Sequence, residues 1–446
     1  MEMRIQQRIF KSLFLGGLLL LSYLSHSQAT IPPVKYDLNS DGSQYVRFTG
    51  LNQIWLRHTE LNPGSTLFGN PVQSMTDIGI RRLRFQLIAQ LTDRVFFYAQ
   101  FGQNNFSFLQ PRYTSSFFHD AITELKVHAE HISLGAGLTG WNGLSRYATP
   151  SIGSMLTLDA PLYQQATNGQ SDQFLRKLSL YAKGQVGILD YRLAVSKPLA
   201  VQNATGGAPL LNPDRSTFNT EPTEFQYQGY FKLHLLDIES NLTPYNVGTY
   251  LGQKRMLTLG AGFIQQSNAM WKSNSNGDTN RTNLLLIGAD IFLDLPINEV
   301  QSVIYTFYGA YTFYEFGQGY VRNVGVMNMA NGTNGQGTFN GSGNAFPMIG
   351  TGNSLYLQTG IAFGKNVITE GGKLQPYAAA QYSVFRGLDA PMLMAEGGLN
   401  WYINGTHDSK VSVNYQSRPV FEADEEGQLV EGARRGMLQL QYQISF

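Results

Sequence analysis

The final stretch of the chain, Gly436-Met-Leu-Gln-Leu-Gln-Tyr-Gln-Ile-Ser-Phe446, alternates without interruption. Leu438, Leu440, Tyr442, Ile444 and Phe446 share one parity, while Gln439, Gln441, Gln443 and Ser445 share the other. A period of two matches the pleat of a β-strand, so this stretch is a strand with one apolar and one polar face. The pattern recurs: about sixteen segments of 10–18 residues read as strands. They lie near 44–60, 76–92, 94–106, 118–130, 131–141, 174–186, 188–200, 224–237, 255–268, 281–294, 299–316, 352–364, 374–388, 392–404, 407–420 and 433–446.

The connections alternate as well. Thr92-Asp93, Glu130-His131, Val186-Gly187, residues 296–299 and Asn404-Gly405-Thr406 make tight turns. Between them lie longer links at 61–75, 107–117, 142–173, 201–223, 269–280, 317–351 and 421–432. Short turns on one rim and long loops on the other are expected of an all-β, antiparallel transmembrane barrel, with turns on the periplasmic side and loops outside. A soluble sandwich has no reason to alternate loop length in this way. Two links break the rule: 238–254 is long for a turn, and 389–391 is short for an outer loop. Hydrocarbon offers no partner for backbone N–H and C=O groups, so the sheet must close, pairing 433–446 with 44–60. An even strand number puts both ends of the barrel in the periplasm.

Composition agrees. Charged residues are 14%, against about 25% in ordinary globular domains, while aromatics reach 12% and glycines number 47. Mean hydropathy is −0.19, and no run after the N-terminus approaches the 18 apolar residues of a membrane helix. At the N-terminus, Arg4, Arg8 and Lys11 precede an apolar run at 12–24, and Ser27-Gln28-Ala29 offers small residues for cleavage. Residues 1–29 therefore read as a signal peptide, 30–43 as a periplasmic lead-in and 44–446 as the barrel. Losing Arg4, Arg8, Lys11 and Glu2 leaves 29 basic against 30 acidic residues, a net charge of −1 that argues against a nucleic-acid partner. The chain has no cysteine, which excludes disulfides, thiolate chemistry and a lipoprotein anchor.

Parity assigns the faces. Leu83, Phe85 and Leu87 point to lipid in one strand, and Arg82 and Arg84 to the lumen. The same rule sends Arg47, Arg57, Lys126, Lys177, Lys183, Arg192 and Lys232 inward, along with Asp120, Glu124, Asp190 and Glu396. A charge at the lipid midplane costs about 2–4 kcal/mol, which makes inward the safer side. The lining leans basic and would mildly favour anions, unless the charges simply pair across the wall. Trp55, Trp141, Trp271 and Trp401, with many tyrosines near strand ends, suit interfacial girdles. Histidines are scattered without a third ligand at metal-binding spacing, and no nucleophile elbow or phosphate-cradling loop occurs. Catalysis, a metal and a cofactor are not expected. Glu422, Asp424, Glu425, Glu426 and Glu431 make the last outer loop acidic, which is ordinary for a solvated loop but could bind divalent ions or bridge lipopolysaccharide. The polar stretch 331–344 reads as a surface loop.

Three patches carry a resemblance. Thr-Asp-Ile-Gly-Ile-Arg-Arg-Leu-Arg-Phe begins at Thr76; His-Asp-Ala-Ile-Thr-Glu-Leu-Lys, from His119, leads into Leu-Gly-Ala-Gly-Leu-Thr-Gly-Trp-Asn-Gly-Leu-Ser-Arg-Tyr; and Glu-Gly-Gly-Leu-Asn-Trp-Tyr-Ile-Asn-Gly begins at Glu396. With the terminal Phe446, these resemble the porin family that includes the phosphate-selective porins of Gram-negative bacteria. The resemblance implies a sixteen-stranded outer-membrane barrel, usually a homotrimer, whose third outer loop, here 142–173, folds inward as a constriction. It also implies that Phe446 is read by the barrel-assembly machinery. Phosphate selectivity does not carry over, because the loop offers only Arg146, set against Asp159 and Asp172. The expectation is a diffusion porin for small polar solutes or ions, mildly anion-favouring. The alternative is a barrel that serves as scaffold or partner of other outer-membrane proteins and transports nothing.

Overall fold

The computed structural model describes residues 34–110, 116–128, 131–141, 143–201, 211–221, 224–274, 276–298, 300–335 and 338–446; the signal segment lies outside them. The wall consists of β1 (Tyr45–Glu60), β2 (Ser74–Gln90), β3 (Val95–Phe106), β4 (Phe117–His128), β5 (Ile132–Thr139), β6 (Lys177–Val186), β7 (Leu189–Lys197) and β8 (Gln226–His234). It continues with β9 (Met256–Ser273), β10 (Thr279–Asn298), β11 (Val303–Glu315), β12 (Gly352–Ala362), β13 (Lys373–Phe385), β14 (Met392–Tyr402), β15 (Ser409–Ala423) and β16 (Leu429–Ser445). Each pairs antiparallel with its neighbours. β16 returns to β1 from Ser445 opposite Leu51 to Met437 opposite Thr59, so the sheet has no open edge. All sixteen expected strands are present, and the fold is a closed transmembrane β-barrel.

Alternation builds the two faces. In β12, Leu355, Leu357 and Ile361 stand outward and exposed, while Ser354 and Gln358 are buried inside. In β16, Gln439, Gln441 and Gln443 are buried in the lumen, and Tyr442 and Ile444 face out. An apolar belt outside a polar interior is the arrangement a bilayer demands.

One hairpin rises higher than the sequence pattern indicates. β9 runs on to Ser273 across a bulge between Gln266 and Met270, and β10 begins at Thr279, so the expected loop 269–280 is mostly ribbon. Extended backbone satisfies its own hydrogen bonds above the membrane, where apolar alternation no longer reports it. The tryptophans also depart from expectation. All four are buried, at 1–7% exposure, rather than in a lipid-facing girdle. Trp55 and Trp141 turn into the barrel, where Arg81 lies over one ring (5.3 Å) and Lys183 over the other (4.3 Å). Tyrosines such as Tyr227, Tyr311, Tyr382 and Tyr415 hold the exposed outer positions.

Within the lead-in, Val34–Asp37 forms a short strand. It pairs with Tyr45 to Phe48 at the start of β1, in line with the end of β16, and covers the stretch of edge that β16 leaves free.

The lumen is occupied from both rims. The described residues of 140–176, between β5 and β6, descend from the long-loop rim, with short 3₁₀ turns at Arg146–Ala148 and Leu162–Gln164. Leu144 lies on Gly262 and Gly288, which face each other across β9 and β10; a Cβ on either would stand 2.5–2.6 Å from the Leu144 carbonyl oxygen. Only bare backbone lets the loop approach the wall so closely. Tyr147, Met155 and Tyr163 then join Leu286, Phe292, Tyr308, Tyr356, Phe385 and Met394 in a water-excluding core against the β9–β14 side. Residues 316–335 and 338–351 lie over the same mouth, pinned by Arg57, which donates to the carbonyls of Val326 (2.9 Å) and Met327.

A basic chamber in the lumen

What the loops leave is a cavity of about 340 Å³ against β1, β2 and β16. Its lining includes Arg47, Arg82, Arg84, Arg176, Gln86 and Tyr245, and it reaches the short-turn rim at His407 and Phe446. At mid-height two carboxylates answer four guanidinium groups. Asp159 accepts from Arg81 at 2.8 Å and from Arg82, and Asp120 accepts from Tyr245 and lies 3.5 Å from Arg176. Among the described residues, no carboxylate pairs with Arg84. It donates to the carbonyls of Leu83 (3.1 Å) and Gln103 (3.0 Å) and to the side chain of Asn104, with its Nε unbonded. At the rim the lining includes both Arg47 and Asp408. The inner end therefore carries surplus positive charge in a place with little water to screen it. Burial alone would push the Asp159 carboxyl up, but Arg81 and Arg82 override it and hold it at about 2.

Arg81 escapes a parity reading. Strict alternation puts it beside Leu83 and Phe85, facing lipid. A bulge inserts it between Arg82, opposite Gln53, and Ile80, opposite Ile54, and turns it inward until it is 2% exposed. The signal was present: Arg81-Arg82 places consecutive charges in a strand that can hide only one of them, and an extra residue resolves the conflict.

The remaining charged candidates are mostly tied up in pairs. Arg57 meets Asp77 at 3.3 Å, Lys177 meets Asp172 at 3.2 Å, Lys183 meets Glu124 at 2.8 Å and Arg192 meets Asp190 at 3.3 Å. Glu396 accepts from Asn414. Lys126 sits exposed at the short-turn end of β4, away from the chamber.

Arg146 does not pair with Asp159 or Asp172. It makes a two-pronged bond to Glu239 (Nη1 to Oε2 2.9 Å), which Lys232 also reaches at 3.2 Å. Burial opposes ionisation of Glu239, yet Arg146 and Lys232 keep it well below the ordinary carboxylate range. Glu239 belongs to the long link that broke the alternation rule; like Tyr245, it has no strand periodicity to reveal it.

The fold has counterparts among solved barrels. OmpF of Salmonella typhi is 11% identical, with 91% of this chain and 99% of that chain covered and a TM-score of 0.49. The anion-selective porin of Comamonas acidovorans is 10% identical over 90% of this chain and 100% of that one, with a TM-score of 0.48. The channel DcaP of Acinetobacter baumannii is 11% identical over 92% and 99%, with a TM-score of 0.46. No protein-family model and no curated protein sequence matches the chain. At such identities the likeness is one of architecture, and the barrel itself rests on the strand pairing described above.

Proposed function

We propose that the protein is a passive porin of the Gram-negative outer membrane, passing small polar solutes with a bias toward anions. The observation that carries this reading is the arginine-lined chamber: a closed wall, apolar outside, surrounds a cavity of about 340 Å³ whose inner end has more guanidinium than carboxylate groups. An uncompensated Arg84 lowers the energy of an anion in transit and raises that of a cation. Because most of the other lumenal charges pair, the bias is mild and belongs to one side of the bore. The resemblance to phosphate-selective porins rests on the sequence patches alone, so phosphate is one solute among several. A homotrimer, contact with lipopolysaccharide and insertion by the barrel-assembly machinery belong to the same reading.

A second reading has one observation in its favour. Loops from both rims fill much of the lumen, as they would in a barrel that acts as scaffold for a membrane assembly. Planar-bilayer recording of purified protein separates the two. Stable channels with a chloride-to-potassium permeability ratio above one support the porin. Absence of channels, together with a stoichiometric co-purifying partner, supports the scaffold.

A further inference from the structure

Residues 238–254, the link between β8 and β9, have no architectural need to be long. β8 and β9 stay paired to His234 opposite Thr258, and the ladder continues through Leu235 to Leu257 and Asp237 to Arg255. A tight turn would close that hairpin. Instead the link enters the lumen from the short-turn rim and meets loop 140–176 coming from the opposite rim. The two backbones run side by side: Asn246 N–H donates to Thr149 O (2.8 Å), Ser151 N–H to Asn246 O (2.8 Å) and Thr249 N–H to Ser154 O (3.1 Å). Gly248 lies so close that a Cβ there would stand 2.6 Å from Ser154 O and 2.7 Å from Met155 Cα. The Glu239–Arg146 pair joins the same two segments.

The wall behind each segment differs. Loop 140–176 rests mostly on the apolar β9–β14 wall, with polar ties from Arg81, Arg82, Lys410 and Asn400, so removing it would expose a hydrophobic surface inside the barrel. Link 238–254 faces a polar one. Arg192 donates to Pro244 O (2.7 Å), Lys183 to Asn241 O (2.9 Å) and Lys232 to Asn246 Oδ1 (3.0 Å), and Tyr245 reaches Asp120. Its apolar anchors are few: Leu242 and Tyr245 at the edge of the Trp141–Tyr98 cluster, Tyr250 at the edge of the main core, and Leu251 against Ile304 and Tyr402. Charged groups that are bonded to the link in one state can be hydrated by the lumen in another, whereas an apolar wall has no such alternative.

We infer that residues 238–254 form a strap gating the bore from the short-turn side: docked on loop 140–176 it confines solutes to the arginine chamber, and undocked it opens the polar channel along β4–β8. The inference rests on the porin reading.

The test is single-channel recording on four proteins: wild type; a variant with 239–252 replaced by a short Asn-Gly turn; Gly248→Leu; and Pro150→Cys/Asn246→Cys, whose partners face each other across the strap contact. The natural chain has no cysteine, so an engineered bond is unambiguous. Heat-modifiable electrophoretic mobility confirms that each variant is a folded barrel. Removing the strap should raise the conductance roughly two-fold or more, since a sixteen-stranded wall encloses an aqueous bore when nothing fills it. Gly248→Leu should increase the time spent in that wider state, and the oxidised cysteine pair should abolish it until reduced. Unchanged conductance in the folded strapless barrel, or wide openings that persist with the cross-link formed, would overturn the gate while leaving the porin reading intact. A silent wild type with a conducting strapless variant would support it. Silence in every folded variant would overturn both.

Discussion

A methyl carbon placed on Gly50 would stand 2.4 Å from the ring of Phe446. The backbones of the two residues exchange hydrogen bonds, Gly50 N–H to Phe446 O at 2.9 Å and Phe446 N–H to Gly50 O at 3.0 Å. The terminal ring thus lies flat over the first strand, with Phe48 beside it at 6.3 Å between centroids. The last residue of the chain completes the seam of the barrel, and the residue opposite is one that leaves space for it.

Assembly should therefore depend on both partners. Gly50→Val is expected to lower the amount of folded barrel in the outer membrane much as Phe446→Ser does, while the molecules that do insert conduct normally. Surface levels and single-channel conductance measured on the same preparations check this; normal levels of both variants would count against it.

Asp159 is the carboxylate between Arg81 and Arg82. Asp159→Asn leaves two buried guanidinium groups unanswered, so the chloride-to-potassium permeability ratio should rise by a factor of about two to ten, the equivalent of 0.4–1.4 kcal/mol. Reversal potentials under a salt gradient give the ratio directly.

The same carboxylate sets an acid limit. Its proton affinity is depressed from about 3.9 in an unfolded chain to about 2. A depressed carboxyl stabilises the folded state above its unfolded value and loses that contribution as pH falls through the folded one. Selectivity arising from this clamp should hold from neutral pH to about 4 and rise toward anions as pH drops to about 2. An Asp159→Asn barrel should show no such step.

Arg84, without a carboxylate partner, should be the residue whose loss most reduces the anion bias. Arg84→Met is expected to bring the permeability ratio toward one, whereas Lys177→Met with Asp172→Asn, which removes both members of a pair, should change it little. Equal effects in reversal-potential measurements would remove Arg84 from its special place.

Glu239→Ala leaves the buried Arg146 guanidinium without its anion, at a cost of about 3–5 kcal/mol. Removing charge at both ends of the main pair, with Glu239→Leu and Arg146→Met together, should recover much of that loss, since two apolar groups of similar size need no partner. Chemical denaturation of the two variants in detergent decides this.

The sequence by itself determined the wall. Strict alternation in segments such as 433–446 reports which side of a sheet meets lipid, because hydrocarbon tolerates neither unpaired backbone nor charge, and that penalty is imposed residue by residue. Strand number, the closing pair and the inward course of Arg82, Lys183 and Gln441 follow from local pattern alone. The contents of the bore do not. Arg81 turns inward through a bulge, whose position depends on register with two neighbouring strands. Trp55 shares the inward parity of Gln53 and Arg57, but Trp141 lies past the end of β5 and is held inside beside Lys183 and the link residues Leu242 and Tyr245. Arg146 finds Glu239, 93 positions away, because loops from opposite rims meet inside the barrel, and such a meeting leaves no period in either loop. The wall is governed by the solvent on each face, which every residue senses separately; the lumen is governed by which segments share its limited space, and only the closed tertiary structure decides that.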